Sequence, residues 1–221
     1  MPGETAQDTS PDLYVGKPSL HLFDALLIGA ADINRQAATR SFSSDLMPLQ
    51  RAAAEIIPGT FHISLAIRQL IRSGHLFAAE VLLRPFLERC AVLAYLRRYP
   101  AQGLRLWSRG WPHKTRPSLK FMIGCIDEPP RSLDPQQYPA DYSVCSLLRE
   151  RVDHLNRLVH ADPVGSQRNA LFSAEHGRPV QFAGANFDNP EYCNEIAMLA
   201  AGLTSVLMIQ TEALFGVGAR H

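Results

Sequence analysis

Apolar residues recur every three or four positions along most of the chain, which is the spacing of one face of an α-helix. A first helix is predicted from Ser19, its N-terminal cap, to about Arg40. Residues Leu76 to Leu96 are apolar nearly all round, so they predict a central helix that other helices surround. Pro85 is expected to kink this helix because it removes an amide donor.

Two further helices are predicted between the first helix and the central one. Asp45 caps a helix that ends at Ile57, because Pro58-Gly59 is expected to break it. Thr60 then caps a separate helix that ends at Ser73-Gly74. The sequence therefore predicts two short helices here rather than one long helix.

The second half of the chain predicts more helices and one pair of strands. The predicted helices lie within residues 101–112, 118–126, 141–160 and 190–215. Residues 170–183 alternate between apolar and polar positions around a His-Gly pair, so they predict a small β-hairpin. The predicted fold is all-α: a flexible tail over residues 1–17 and a single helical domain over 18–221, with six or seven helices and the hairpin as an insertion.

Charge and targeting signals narrow the class of protein. The 221 residues include 22 basic and 21 acidic ones, a formal net charge of +1. This balance excludes proteins that coat polyanions through a broad positive field, so any nucleic-acid site is expected to be local. Residues 1–17 lack the pattern of a signal peptide, and the longest apolar run, Ile196 to Ile209, is shorter than the roughly 20 residues that a bilayer requires. We therefore expect a cytoplasmic protein that contacts no membrane.

Motif searches exclude several common enzyme classes. The sequence has no phosphate-binding glycine loop, no His-Glu-x-x-His and no Gly-x-Ser-x-Gly. Its four cysteines are scattered, without metal-ligand spacing. We therefore expect no metal and no cofactor.

The helix predicted to end at His160 carries the most concentrated polar chemistry. At 100° per residue, four side chains fall within about 60° of one another, as a stripe about 16 Å long, and could face one ligand: Arg149, Asp153, Asn156 and His160. His154 lies off this stripe, and Arg157 flanks it. The alternative is a solvated helix face with ordinary ion pairs.

Charged residues inside the apolar central helix form a second candidate group. Glu80, Arg84 and Glu88 follow one another at intervals of four residues. Charges in such a helix are costly unless they are paired or lie at a cleft. They are either a structural ion-pair network or a substrate-binding group, in which Arg84 and Glu88 would face the stripe.

Aromatic and basic residues also mix just after the central helix. Trp107 and Trp111 precede Lys114 and Arg116. This mixture is typical of a surface that stacks nucleotides. A hydrophobic anchor for the proline-rich segment is the interpretation that we favour from the sequence, with nucleotide stacking as the alternative.

The segments LLRPFLERCAVLAYL (82–96) and LNRLVHADPVG (155–165) resemble an uncharacterised bacterial helical family, which is itself similar to the HEPN superfamily. The superfamily motif is an arginine followed after four to six residues by a histidine, and Arg149 and His154 match it. The resemblance implies a homodimer that binds RNA and cleaves it without a metal, as a toxin with an antitoxin partner or as a component of phage defence.

The resemblance also implies roles for individual residues. A histidine, His154 or His160, would act as general acid or base, and Arg149 would neutralise charge on the phosphate. From the stripe and the charged residues of the central helix, and not from the resemblance, we expect substrate to be bound by Arg84, Glu88, Asp153, Asn156 and Arg157. Two alternatives remain: a non-catalytic helical interaction protein, and a helical bundle in which Arg84 and Glu88 bind a small ligand.

Overall fold

The structure is a computed structural model that describes residues 14, 16–43, 45–126, 144–160 and 190–217. All regular structure in these ranges is helical, which confirms the predicted all-α class. The seven helices are α1 (Pro18–Ser43), α2 (Pro48–Arg72), α3 (Leu76–Arg98), α4 (Pro100–Trp107), α5 (Leu119–Gly124), α6 (Val144–Val159) and α7 (Pro190–Phe215). The predicted hairpin at 170–183 and most of the predicted tail at 1–17 lie outside the described residues.

Helix α3 occupies the centre of the fold. It packs against α2, α4, α5, α6 and α7, while α1 covers the outer side of α7 and α2. Large side chains on every side of α3 are fully buried, including Leu83, Phe86 and Tyr95. Each burial of this size contributes about 1.5–3 kcal/mol to the free energy of unfolding. The prediction of a buried central helix is confirmed.

Helix α2 corrects the prediction of two helices between α1 and α3. It continues from Pro48 to Arg72 with Pro58 in its interior. Thr60 is not a cap, because it is buried inside the helix and its hydroxyl donates to the carbonyl of Ile56 at 2.7 Å. Pro58 itself is exposed, so the turn that it disturbs lies at the surface, where water can bond to the carbonyl left without a donor. Ile56, Ile57 and Thr60 around it are buried, and α2 packs against α3 and α7, so tertiary packing keeps the helix continuous.

The predicted start residues of the first two helices also differ. Helix α1 begins at Pro18, so Ser19 lies within its first turn and is buried. Helix α2 is preceded by Met47 rather than Asp45, and the Gln50 side chain accepts a hydrogen bond from the Met47 amide at 3.0 Å. Proline at the first helical position explains both starts, because its fixed φ suits that position and its missing N–H is not needed there.

The later helices agree with the predicted ones where they are described. Ser118 caps α5 by accepting a hydrogen bond from the amide of Phe121 at 3.3 Å. Helix α6 ends at Val159, beside the predicted His160, whereas the predicted cap Asp141 lies outside the described residues. Helix α7 begins at Pro190 and ends at Phe215, as predicted.

Helix α7 is long and apolar enough, by length and composition, to cross a membrane; among the described helices it is the one that meets this test. Of its most apolar 18-residue window, 61% is buried against the rest of the protein. A core helix passes the same test, and Ile196, Leu203 and Phe215 contribute to the core. The prediction that this apolar run forms a buried helix is confirmed.

Candidate functional site

Helix α6 lies on α3 and contacts α5, and its apolar face determines where its polar side chains point. Leu148, Val152 and Leu155 are buried in the core. At 100° per residue, the stripe of Arg149, Asp153, Asn156 and His160 is rotated about 100° from this buried face. His154 is rotated to the opposite side. The buried face therefore places the stripe on one flank of α6 and His154 on the other.

Asn156 joins the stripe to the central helix. Its side-chain oxygen accepts a hydrogen bond from Nε of Arg84 at 2.6 Å. Arg84 also donates through Nη1 to Glu88 at 3.2 Å, and Arg116 donates to the other oxygen of Glu88 at 3.2 Å. The structure therefore brings Arg84 and Glu88 together with the stripe, and it adds Arg116, which the sequence had indicated only as part of an aromatic and basic segment.

Two guanidinium groups thus share one carboxylate, so this network carries an excess of one positive charge. The side chains of Arg84, Glu88 and Arg116 are 17%, 32% and 31% exposed. Arg84 is fixed by two partners on two helices, whereas Arg116 and Glu88 are more open to solvent. The network can attract an anion at the surface while remaining paired internally.

The N-terminal end of the stripe meets helix α5. Nζ of Lys120 lies 3.0 Å from Oδ2 of Asp153, in an exposed ion pair of the kind that contributes little to stability. Arg149 is exposed and its guanidinium lies against Gly124, where an added Cβ would be 3.1 Å from Nη2. Glycine at position 124 therefore leaves room for the guanidinium beside α5.

The C-terminal end of the stripe is marked by His160. The residue is exposed just after the last turn of α6, and its amide donates to the carbonyl of Asn156 at 3.1 Å. Arg157 is exposed one turn earlier. Arg149 and His160 are about 16 Å apart along the helix axis, since each residue adds about 1.5 Å. They share a flank of α6, but within one chain they cannot reach the same phosphate.

His154 belongs to a different cluster on the opposite flank. Its Nε2 lies 2.9 Å from Oε1 of Glu80, and the hydroxyl of Tyr192 donates to Oε2 of the same carboxylate at 2.5 Å. Glu80 is buried, and the side chain of His154 is 27% exposed. A carboxylate in this position fixes the orientation of the imidazole ring. Arg149 and His154 therefore lie on opposite flanks of α6 and do not meet.

Sequence reasoning did not identify all of the residues in these clusters. Tyr192 gave no signal, because it is one aromatic residue in an apolar helix. Lys120 was not singled out, although it pairs with a stripe residue. Both contacts link separate helices, so no local spacing indicates them.

Two cavities formed by described residues lie away from α6. One of about 520 Å³ lies between α2 and α4 beside Trp107, whose indole nitrogen donates to Glu55 at 2.8 Å. Another of about 490 Å³ is lined by the α1 residues Arg35, Gln36, Thr39 and Arg40. Neither cavity includes Arg84 or Glu88, whose charged groups already bind protein partners.

Within the described ranges, His, Cys, Asp and Glu side chains form no group of three that could hold a metal ion. The chain matches no protein-family model, no curated protein and no solved structure.

Proposed function

We propose that this protein binds RNA along the exposed flank of α6 and cleaves it without a metal ion. The observation that carries this proposal is that Arg149, Asn156 and His160 share one flank, with Asn156 hydrogen-bonded to Arg84. The flank is about 16 Å long, which corresponds to roughly five nucleotides of a stacked strand, and Arg149 on it and Arg157 beside it supply cations for a nucleic-acid backbone. The near-zero net charge of the chain is compatible with a local site of this kind.

In the proposed reaction, an imidazole of His160 accepts the proton of a ribose 2′-hydroxyl. The 2′-oxygen attacks the adjacent phosphorus, and the bond to the 5′-oxygen of the next nucleotide breaks. A protonated imidazole, supplied by a second copy of the chain in the proposed homodimer, gives its proton to that leaving oxygen. The products are a 2′,3′-cyclic phosphate and a free 5′-hydroxyl. Arg157, one turn from His160, stabilises the charge on phosphorus.

His160 is a better candidate for this role than His154. A general base must reach the proton that it removes, and His160 is exposed on the same flank as Arg149. His154 is bound to the buried carboxylate of Glu80 on the other flank. The proposal therefore gives the Glu80 cluster a structural role and Arg149 the role of binding phosphate some distance from the cleaved bond.

The test is incubation of the purified protein with mixed single-stranded RNA in excess chelator. We expect His160→Ala to abolish cleavage, Arg149→Ala to raise KM with a smaller effect on kcat, and the exposed control His62→Ala to behave as wild type. Circular dichroism verifies that each variant is folded. Loss of cleavage in a folded His154→Ala variant, with His160→Ala active, would move the reaction to the other flank. A wild-type protein that neither binds nor cleaves RNA would contradict the proposal.

The second candidate function is a non-catalytic interaction protein, and exposed apolar side chains favour it. Ile28 on α1 and Met47, just before α2, are 74% and 68% exposed. Such side chains are typical of contacts with another protein when they cluster. Sedimentation velocity would show self-association that Ile28→Glu abolishes, together with no cleavage of RNA by any variant.

A further inference from the structure

We propose that the exposed rings of Tyr99 and Phe121 form a stacking platform for the bases of single-stranded RNA. This inference rests on the proposed function, since it names the class of RNA and adds a base-binding site beside α6. The two ring centroids are 6.0 Å apart and the planes are inclined by 26°. Tyr99 is 39% exposed and Phe121 is 52% exposed. A base can lie on such a surface because every base has a π-face, whatever its sequence.

A buried ring and a partly buried ring support the platform from behind. The ring of Tyr95 is buried and lies 5.4 Å from that of Tyr99 and 6.2 Å from that of Phe121. Trp111 meets Tyr95 edge-on at 5.9 Å. Because these contacts fix both exposed rings before a ligand arrives, binding costs little side-chain entropy.

The backbone also holds the platform in place. Tyr99 lies at the junction of α3 and α4, where its amide donates to the carbonyl of Tyr95 at 2.9 Å. Phe121 lies in the first turn of α5, whose cap is Ser118. Trp111 has a φ of +54°, a conformation that bulky residues rarely adopt, and its packing among the other rings maintains it.

The platform continues directly into the proposed RNA-binding flank of α6. Phe121 and Gly124 are three residues apart on α5, so they are neighbours on one face of that helix. The guanidinium of Arg149 lies against Gly124. Lys120, next to Phe121, pairs with Asp153 of the stripe. A strand could therefore stack bases on the rings while its phosphates meet Arg149 and Lys120.

Charge favours RNA over a protein as the occupant of this platform. In the short segment that joins Trp111 to α5, Lys114 is exposed and Arg116 is partly exposed; Lys120, in the first turn of α5, is also exposed. Interface cores between proteins are depleted in lysine, whereas aromatic rings among cations are typical of single-strand binding. The acceptors that suit these cations are phosphate oxygens.

The experiment measures the affinity for a labelled oligonucleotide of about 12 nucleotides by fluorescence anisotropy. Its riboses are 2′-O-methylated, so it cannot be cleaved through the 2′-oxygen. We expect Phe121→Leu to weaken binding about 10-fold, the size typical of one lost base–aromatic stack, and Phe121→Tyr to bind as wild type. Phe42→Leu is the matched control, because Phe42 is an exposed phenylalanine on α1. Its affinity should be unchanged.

Intrinsic fluorescence gives an independent readout. The only two tryptophans of the chain, Trp107 and Trp111, have ring centroids 6.0 Å apart within this aromatic cluster. We expect the oligonucleotide to quench their emission, and an abasic strand of equal length to bind about 10-fold more weakly and to quench little. Phe121→Leu should bind the abasic strand as wild type does, because the lost stack is the same in both cases.

The outcomes separate this inference from the proposed function. If folded Phe121→Leu binds the base-containing strand as tightly as wild type, the platform is not a base site, although RNA binding stands. If wild type binds no RNA, both proposals fail. If Phe121→Leu dissociates a dimer and leaves the RNA affinity unchanged, a second copy of the chain covers the platform and the inference is overturned. Circular dichroism and the Phe121→Tyr variant distinguish these results from misfolding.

Discussion

His154 and Glu80 are hydrogen-bonded across 74 positions of sequence, with Nε2 2.9 Å from Oε1. Tyr192 donates to the second oxygen of the same carboxylate. Three helices, α3, α6 and α7, are thereby joined at one buried acidic side chain. This contact holds His154 on the flank of α6 opposite Arg149.

The Glu80 cluster predicts coupled losses of stability. Tyr192→Phe removes one donor to a buried carboxylate and should lower the free energy of unfolding by about 1–3 kcal/mol, and His154→Ala should lower it by a similar amount. Because both side chains bond to Glu80, the double variant should deviate from additivity by at least about 0.5 kcal/mol. Urea denaturation measures all three values. Additive effects would show that the two contacts act independently.

Arg84 should not tolerate replacement by lysine. Its guanidinium donates simultaneously to Asn156 and to Glu88, a fork that a single ammonium group cannot reproduce. We expect Arg84→Lys to lower the free energy of unfolding by about 1–2 kcal/mol. The exposed Arg157 is a matched control, and Arg157→Lys should change stability by less than about 0.5 kcal/mol. Equal effects in thermal or urea unfolding would contradict the importance of the fork.

Pro58 should lower the stability of α2, although the helix continues through it. Pro58→Ala restores an amide donor in the interior of α2 and should raise the free energy of unfolding by about 1–3 kcal/mol, because the exposed proline makes few contacts to lose. Pro48→Ala is the control, since proline at the first helical position carries no such penalty. Differential scanning calorimetry should show a higher Tm for the first variant only.

Cys90 should be unreactive in the folded protein. Burial raises the pKa of its thiol well above the usual range, and its Sγ contacts the carbonyl of Leu203 at 3.6 Å. The reactive thiolate therefore stays unpopulated at pH 8 to 9 while the protein is folded. Iodoacetamide labelling with peptide mass spectrometry should modify Cys90 only after urea is added. Rapid labelling without denaturant would show that the core around α3 opens.

The local pattern of apolar and polar residues predicted where most helices lie, but it did not predict which residues of other helices they contact. The uninterrupted apolar run from Leu76 predicted the central position of α3, because a helix without a polar face must be covered on all sides. The proline at position 58 predicted a break that does not occur. Local propensity there is outweighed by burial of Ile56, Ile57 and Thr60, an effect that depends on other helices.

In the candidate site too, the sequence predicted positions along one helix, and packing between helices decided the contacts. By itself, the sequence determined that Arg149, Asp153, Asn156 and His160 share one side of a helix, since 3.6 residues per turn fixes angles along a single helix. Only the tertiary structure decided that Asn156 meets Arg84, that His154 turns to Glu80, and that Tyr99 stacks on Phe121. These contacts depend on how separate helices pack, and helical periodicity describes a side chain's direction but not the neighbour that it meets.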